Sequence, residues 1–376
     1  MSKTLQEHNY HGIDATIIAD SNNEHGQRIT SFVCTFPRII LAEFNTHRML
    51  SRNSASSRAI PFKKMLKQIE EHPFIPIKWM KDHKGMQGNE YFSNDSVDPA
   101  LKYEGSPFDI FNSESKALRQ QWLLAKNKAL TMAIRLSNMG LTKQFVNRLL
   151  EPFKWHTAIV TATEWENFFA LRAHEAAEIH IQDLAFKMLE EYNNSEPREL
   201  KAGEWHIPFG DSFDEDELVA LQRHLSDLPE GGYKVGDMFT GKGGFLMFDN
   251  AMKKEIGIDP FVDLKVKIAT ARCARVSYEN FEGGDDYEKD IKLHDRLASM
   301  GHWSPMEHCA RAMTDEEFMF NVRGLIETTH SEPEYEDILD IPEDIIGWSG
   351  NFRGFIQYRK MFNEENKTDD RVKANS

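Results

Sequence analysis

The sequence holds only three cysteines, Cys34, Cys273 and Cys309, widely separated and without a CxxC pair. That scarcity argues against a disulfide framework and a cysteine zinc site, and it suits a reducing, cytoplasmic setting. No apolar run reaches the length of a bilayer-spanning helix, and the opening "MSKTLQEHNYHG" lacks the apolar core of a signal peptide. Basic charge is in deficit, with 45 Lys and Arg against 60 Asp and Glu and a formal net charge of -15. A general nucleic-acid binder, which neutralises phosphates with cations, is disfavoured. A small anion would need a locally basic pocket. Familiar catalytic patterns are missing as well. There is no G-x-S-x-G for a nucleophilic serine, and "GKGG" around Lys242 lacks the P-loop spacing. In "HEAAEIH" the two histidines, His174 and His180, stand six apart, whereas a zinc-binding helix needs i and i+4. They read as surface or interface residues, and no metal is expected. No solenoid repeat is visible.

What remains is an ordinary globular composition, 40% hydrophobic and 28% charged, able to build a sizeable core. "ATIIADS" and "RITSFVCTF" are rich in β-branched and aromatic residues, and "NNEHG" between them predicts the turn of a hairpin. Pro37 opens "PRIILAEFNTHR", a short helix with proline in its first turn. Residues 62–115 read as irregular. Helical spacing of Leu118, Trp122, Ala125, Ala129, Met132, Ala133 and Leu136 predicts a helix over 116–139, ended by Gly140. A second helix is expected over 142–150 before Pro152, and a third and longest over 164–192. Residues 193–262, dense in Gly and Pro, look like an insertion. The acidic stretch 327–345 looks like another, and 363–376 like a frayed tail.

The stretch "FNTHRMLSRNSASSR" (44–58) packs a His, three Arg, two Asn and four Ser into one short piece of chain. It is too polar for a core strand, which places it at a helix end and in a loop, where function is often carried. Arg172 follows Trp165 by seven and Phe168 by four, so it shares their apolar stripe and must be paired or face a ligand. Arg148 in "FVNRLLEP" has the same ambiguity between strut and site. Arg48, Arg58, Arg148 and Arg172 together suit phosphate recognition by guanidinium forks. In "GHWSPMEHCARAM", Ser304 and Glu307 form a capping-box pattern at a helix start, itself an anion site. Many donors without an evident nucleophile suggest a cofactor that does the chemistry.

"THRMLSRNSASSR" resembles the signature of flavin-dependent thymidylate synthases, approximately RHRxxSxNExSxRY. His47, Arg48, Ser51, Asn53, Ser56 and Arg58 match; Thr46, Ser54 and Ala59 replace the family's first Arg, its Glu and its Tyr, and Glu43 stands where Gln is usual. "KQFVNRLLEP" resembles the "AR-x-x-LP" segment and carries Arg148 onto a nucleotide-phosphate arginine. "EWENFFALRAHEAAEIHIQDLA" resembles the segment that places Asn167 near flavin and Arg172 on the nucleotide. "ARVSY", with Ser277, and "GHWSPMEH", with His302, Ser304 and Glu307, look like the family's flavin-binding pieces. These normally precede the signature, and "NFRGFIQYRK", with Gln357, closes the chain, so the order implies a circular permutation.

The resemblance implies an α/β (α+β) fold with a mixed or antiparallel sheet flanked by long helices, in one catalytic domain over 1–376. It implies FAD as cofactor, held by His47, Arg48, Asn167, Ser277, His302, Ser304 and Glu307. The pyrimidine nucleotide, dUMP in the family, would be held by Glu43, Ser54, Ser56, Ser57, Arg58, Arg148, Arg172 and Gln357, with Ser56 and Arg172 at the reacting centre. NADPH and methylenetetrahydrofolate would be co-substrates, with reduced FAD the hydride source for methylation at C5, in a cytoplasmic homotetramer with shared sites. The departures at Thr46, Ser54 and Ala59 keep open hydroxymethylation or a cytosine nucleotide, and also a non-catalytic nucleotide-binding homologue.

Overall fold

The computed structural model describes residues 5–85, 88, 90–93, 113–227, 233–235, 238–240, 258–278, 286–319, 347–362 and 365. The expected hairpin is present: β1 (Asp14–Asn23) and β2 (Arg28–Pro37) pair antiparallel around a turn containing Gly26 at φ +78. On the other side of β2 lies β4 (Trp155–Ala162), and on β4 the short edge strand β3 (Ser51–Ser54). At the opposite edge β5 (Arg198–Leu200) runs parallel to β1, so the order β3-β4-β2-β1-β5 makes a mixed sheet. The fold is therefore the mixed α/β class that the sequence implied.

Alternation along β2 explains the two layers that cover this sheet. Phe32, Cys34 and Phe36 point to one face and meet Phe44, Trp165, Phe168, Ile181, Leu184 and Met188. These come from α1 (Leu41–Phe44), α5 (Glu166–Arg172) with Trp165 just before it, and α6 (Ile179–Asn194). Ile29, Ser31, Val33 and Thr35 point to the other face, where Val33 and Ile159 pack on Cys273 and Val276. That second layer holds helices Pro260–Arg275 and Tyr287–Ser299 and a small sheet, β6 (Trp205–His206), β9 (Ala310–Ala312) and β12 (Phe355–Gln357). All three cysteines are buried and free. Among the described residues no helix is long and apolar enough to cross a membrane.

Several elements depart from expectation, each for a local reason. Residues 62–115 are not irregular throughout: α2 (Phe62–Glu71) follows Pro61 and buries Met65 and Ile69, one turn apart. The helix expected over 116–139 is α3 (Glu114–Asn138), and Gly140, at φ +88, follows its end. The helix expected over 142–150 shrinks to α4 (Lys143–Val146) and continues as a 3-10 turn over Asn147–Phe153, which tolerates Pro152. The long helix over 164–192 is two helices. Its break comes where the Glu178 carboxylate accepts from the N–H groups of His180 and Ile181, capping α6 afresh. His180 is buried, not a surface residue; it touches Glu178 through Nδ1 (2.6 Å) and lies edge-on to Phe74. The "insertion" over 193–262 is partly integral, since β5, β6 and buried Leu200 and Trp205 belong to the sheets and cores. "GKGG", 327–345 and all of 363–376 except Glu365 lie outside the described residues.

Candidate functional site

Residues 43–60 run from α1 along the sheet edge, and three groups of partners meet them in turn. The stretch too polar for a core strand, expected at a helix end and in a loop, forms the edge strand β3 at Ser51–Ser54. It can do so because it is an edge, whose polar side chains find partners in the second layer rather than an apolar core.

The first group surrounds Glu43. Arg172, the last residue of α5, forms an ion pair with Glu43 through Nη1 and places Nε 2.8 Å from His47 Nε2. The other terminal nitrogen reaches Thr46 Oγ1 at 3.4 Å. His47 stands edge-on to Phe168, and burial beside the Arg172 and Arg52 cations lowers its pKa to about 4. His47 is neutral near pH 7 and makes its hydrogen bonds without adding charge. Arg52 donates from Nη1 to the His47 carbonyl (2.6 Å), closing the turn that carries His47 and Arg48. Arg48 itself is exposed, as is Asn167 on α5.

The second group is drawn from the far end of the chain. Ser56 donates its backbone N–H to the Ser277 carbonyl (3.1 Å). Asn53 Nδ2 donates to the Cys273 carbonyl (2.6 Å), and Ser304 Oγ lies 3.5 Å from Asn53 Oδ1. Gln357 Nε2 donates to Ser51 Oγ (3.0 Å), with the Gln357 side chain buried. Glu307 pairs with Arg359. Ser304 does not act as an N-cap: Trp303 holds that position without a side-chain bond, and Ser304–Glu307 is one 3-10 turn. The turn is too short for the Glu to reach back, so the expected capping box does not form. His302 is exposed beside it. His308 is buried and touches Thr161 Oγ1 through Nδ1 (2.9 Å), and among the described residues its Nε2 has no hydrogen-bond partner.

A third group holds the signature's end. Asn147 Nδ2 donates to the carbonyls of Ser57 (2.7 Å) and Ile60 (2.9 Å), and Ser57 Oγ donates to Glu151. Ser57 is thereby turned inward, while Arg58 is exposed and Ser54 half-buried. Arg148 lines an open cleft of about 450 Å³ with Arg38, Asn45 and Glu151. Burial lowers the pKa of Arg38; its guanidinium reaches Glu151 (3.5 Å) and buried His156 (3.2 Å).

Most expected site residues are thus gathered along one edge, but among the described residues Arg172 does not line the Arg148 cleft. Leu41, Ala42 and Asn45 border the Arg148 cleft, whereas Glu43, Thr46 and His47 face Arg172. The short α1 stands between them. Arg38, Arg52 and Asn147 are absent from the expected set. Arg52 lies inside the signature and Asn147 directly before Arg148, so adjacency was the available signal; Arg38 had none.

The arrangement is that of a mixed α/β protein with a donor-rich sheet edge assembled from distant parts of its sequence. Residues 21–198 match the family model described as Thy1, thymidylate synthase complementing protein. The resemblance seen in the signature therefore stands over that stretch, which includes Arg148 and Arg172; the pieces carrying Ser277, His302, Ser304, Glu307 and Gln357 lie beyond it. Among solved structures, the UMP/dUMP methylase PolB from Streptomyces cacaoi, bound with 5-Br UMP, is similar at 14% identity with a TM-score of 0.33. The similarity covers 48% of this chain and 88% of that one. No curated protein matches the chain.

Proposed function

We propose that this protein transfers a one-carbon unit to C5 of a pyrimidine deoxynucleotide, dUMP in the first instance, with FAD, NADPH and methylenetetrahydrofolate. The observation that carries the proposal is the docking of Ser277, Ser304 and Gln357 along Ser51–Ser56. Flavin-type pieces that follow the signature in sequence lie beside it in space, as a circularly permuted single domain requires.

The donor set suits an anionic dinucleotide. Arg48 and Arg58 are exposed and make no ion pair among the described residues. His47, Arg48, Asn167, Ser277, His302, Ser304 and Glu307 would hold FAD, which when reduced supplies a hydride. Arg58 and Arg148 would hold the nucleotide phosphate, a task for charge-assisted forks. Arg172 would exchange Glu43 for the nucleotide, and His47 and Arg52 keep its approach fixed. Ser56 and Ser54 would orient the base, whose alignment over the flavin replaces an entropic cost. Because α1 stands between Arg148 and Arg172, a complete clamp would take residues from more than one subunit, in keeping with a homotetramer.

A second reading is hydroxymethylation, or action on dCMP. It is favoured by Thr46, which replaces a family Arg and here donates to the Glu43 carbonyl (2.7 Å), leaving one guanidinium fewer on the base side. The test is uptake of added FAD followed by titration with dUMP and with dCMP, reading the flavin spectrum and then the product. Failure to take up FAD at saturation defeats the proposal. A response to dCMP alone, or a hydroxymethyl product, selects the second reading.

A further inference from the structure

A second cleft, of about 530 Å³, lies between residues 75–79, residues 91–92 and the start of α3 and shares no lining residue with the Arg148 cleft. Its frame is well tied. Phe92 N–H donates to the Trp79 carbonyl (2.8 Å) and Lys81 N–H to the Glu90 carbonyl (2.9 Å), around a Met80–Tyr91 antiparallel bridge. This small ladder is fastened to α3 at its first turn. Ser115 Oγ donates to the Ser93 carbonyl (3.0 Å), and Ser93 N–H to the Glu114 carboxylate (2.8 Å). Trp79 meets Trp122 edge-on at 6.0 Å, which steadies its ring.

The lining combines two chemistries. Trp79, Tyr91 and Phe92 supply aromatic surface, while Lys78, Lys116 and Arg119 supply exposed cations, and among the described residues no carboxylate lines the cleft. In a chain of net charge -15 such a local excess of cations is unexpected as a solvated surface. Lys78 Nζ lies 5.3 Å from the Tyr91 ring centre, within cation–π range, so one cation is already oriented over the aromatic wall. The volume falls in the range of small-molecule sites, roughly 300–1,000 Å³.

We propose that this cleft binds a nucleoside phosphate, with the base against the Trp79, Tyr91 and Phe92 rings and the phosphate at Lys116 and Arg119. Rings accept any base through its π face, and the cations take the anion, so neither half of the ligand suffices alone. The site is separate from the sheet edge and does not depend on the activity proposed there.

The test uses the full chain and etheno-AMP as fluorescent probe, with adenosine and inorganic phosphate as separate competitors. Both cations are exposed, so Lys116→Glu/Arg119→Glu is expected to keep the wild-type melting temperature. It should weaken probe binding at least about tenfold, the effect of losing one charge-assisted bond. Arg172→Ala should bind the probe as wild type does. Adenosine and phosphate should each compete at least tenfold more weakly than AMP. No binding to wild type, equal binding by the charge-reversed variant, loss of binding in Arg172→Ala, or competition by phosphate as strong as by AMP would each overturn the proposal. If the charge-reversed variant melts early, Lys116→Gln/Arg119→Gln gives the same comparison without repulsion.

Discussion

Arg172 ends α5 against Glu43, its Nη1 paired with the carboxylate and its Nε 2.8 Å from His47 Nε2. The guanidinium expected to hold a ligand is held instead by two other expected site residues. The two side chains retain 19% and 31% exposure, so solvent screens the pair and its share of stability is about 1 kcal/mol or less. Arg172→Ala should therefore leave the melting temperature nearly unchanged. Nucleotide binding should weaken by roughly tenfold to a hundredfold, the range set by a charge-assisted hydrogen bond, with FAD binding intact. Calorimetric titration of dUMP and dCMP beside a thermal melt checks both halves. Unchanged affinity with a falling melt would make Arg172 a strut.

Asn53 is the reverse case, a signature residue whose role in this structure is architectural. It is buried, and its Nδ2 bond to the Cys273 carbonyl ties β3 to the helix Pro260–Arg275. Asn53→Ala leaves that buried carbonyl unsatisfied, which costs about 1–3 kcal/mol. Urea denaturation should show the loss as a lower midpoint. A midpoint equal to wild type would mean water replaces the amide without penalty.

Where composition or spacing marked an element, the fold was legible. The β1–β2 hairpin follows from runs of β-branched and aromatic residues and α3 from helical spacing, and the turn chemistry at Gly26 and Gly140 agrees with them. The break between α5 and α6 was not legible, because "AHEAAE" has good helix formers and the cap at Glu178 is decided by where His180 packs. Strand β3 was hidden for a related reason. Its serines and Asn53 look unsuited to a sheet until Gln357 and the Cys273 carbonyl arrive from residues far downstream. At the site, types and motif spacing picked out residues that do gather along this edge. They did not reveal that Arg148 and Arg172 lie on opposite flanks of α1, since a signature carries no information about which side of a helix its distant partners occupy.

Gly354 offers a test of the second layer. Its φ is +70, which disfavours any side chain, and a Cβ there would run into the side chains of Gln27 and Asn23, the latter held by its Nδ2 bond to the Gly354 carbonyl (2.8 Å). Gly354→Ala combines left-handed strain with a clash and should destabilise by more than about 1 kcal/mol. A thermal melt within a degree of wild type would show that the β11–β12 corner (Phe352–Arg353 to Phe355–Gln357) relaxes freely.

A row of buried polar groups crosses the sheet and should contribute to its response to acid. His206 lies between Ser21 (3.0 Å from Nδ1) and Ser31 (2.9 Å from Nε2); Ser31 meets Thr161 at 2.6 Å, and Thr161 meets His308 at 2.9 Å. Burial drives the pKa of His206 down to about 4, with Asp20 opposing weakly, and that of His308 to about 3, with His206 adding to the effect. Both folded values lie below the ordinary 6.5 of an exposed histidine, so between the two values the unfolded chain binds more protons than the fold. The contribution is full above pH 6.5, declines as pH falls below it, and is spent once pH passes the folded values of about 4 and about 3. For each ring the slope approaches a limit of about 1.4 kcal/mol per pH unit between the two values. Equilibrium unfolding of wild type from pH 7 to 4 should show this slope, and a His206→Gln/His308→Gln variant should show it flattened although its stability at pH 7 is lower. Equal slopes in the two proteins would place the acid sensitivity elsewhere, in groups other than this row.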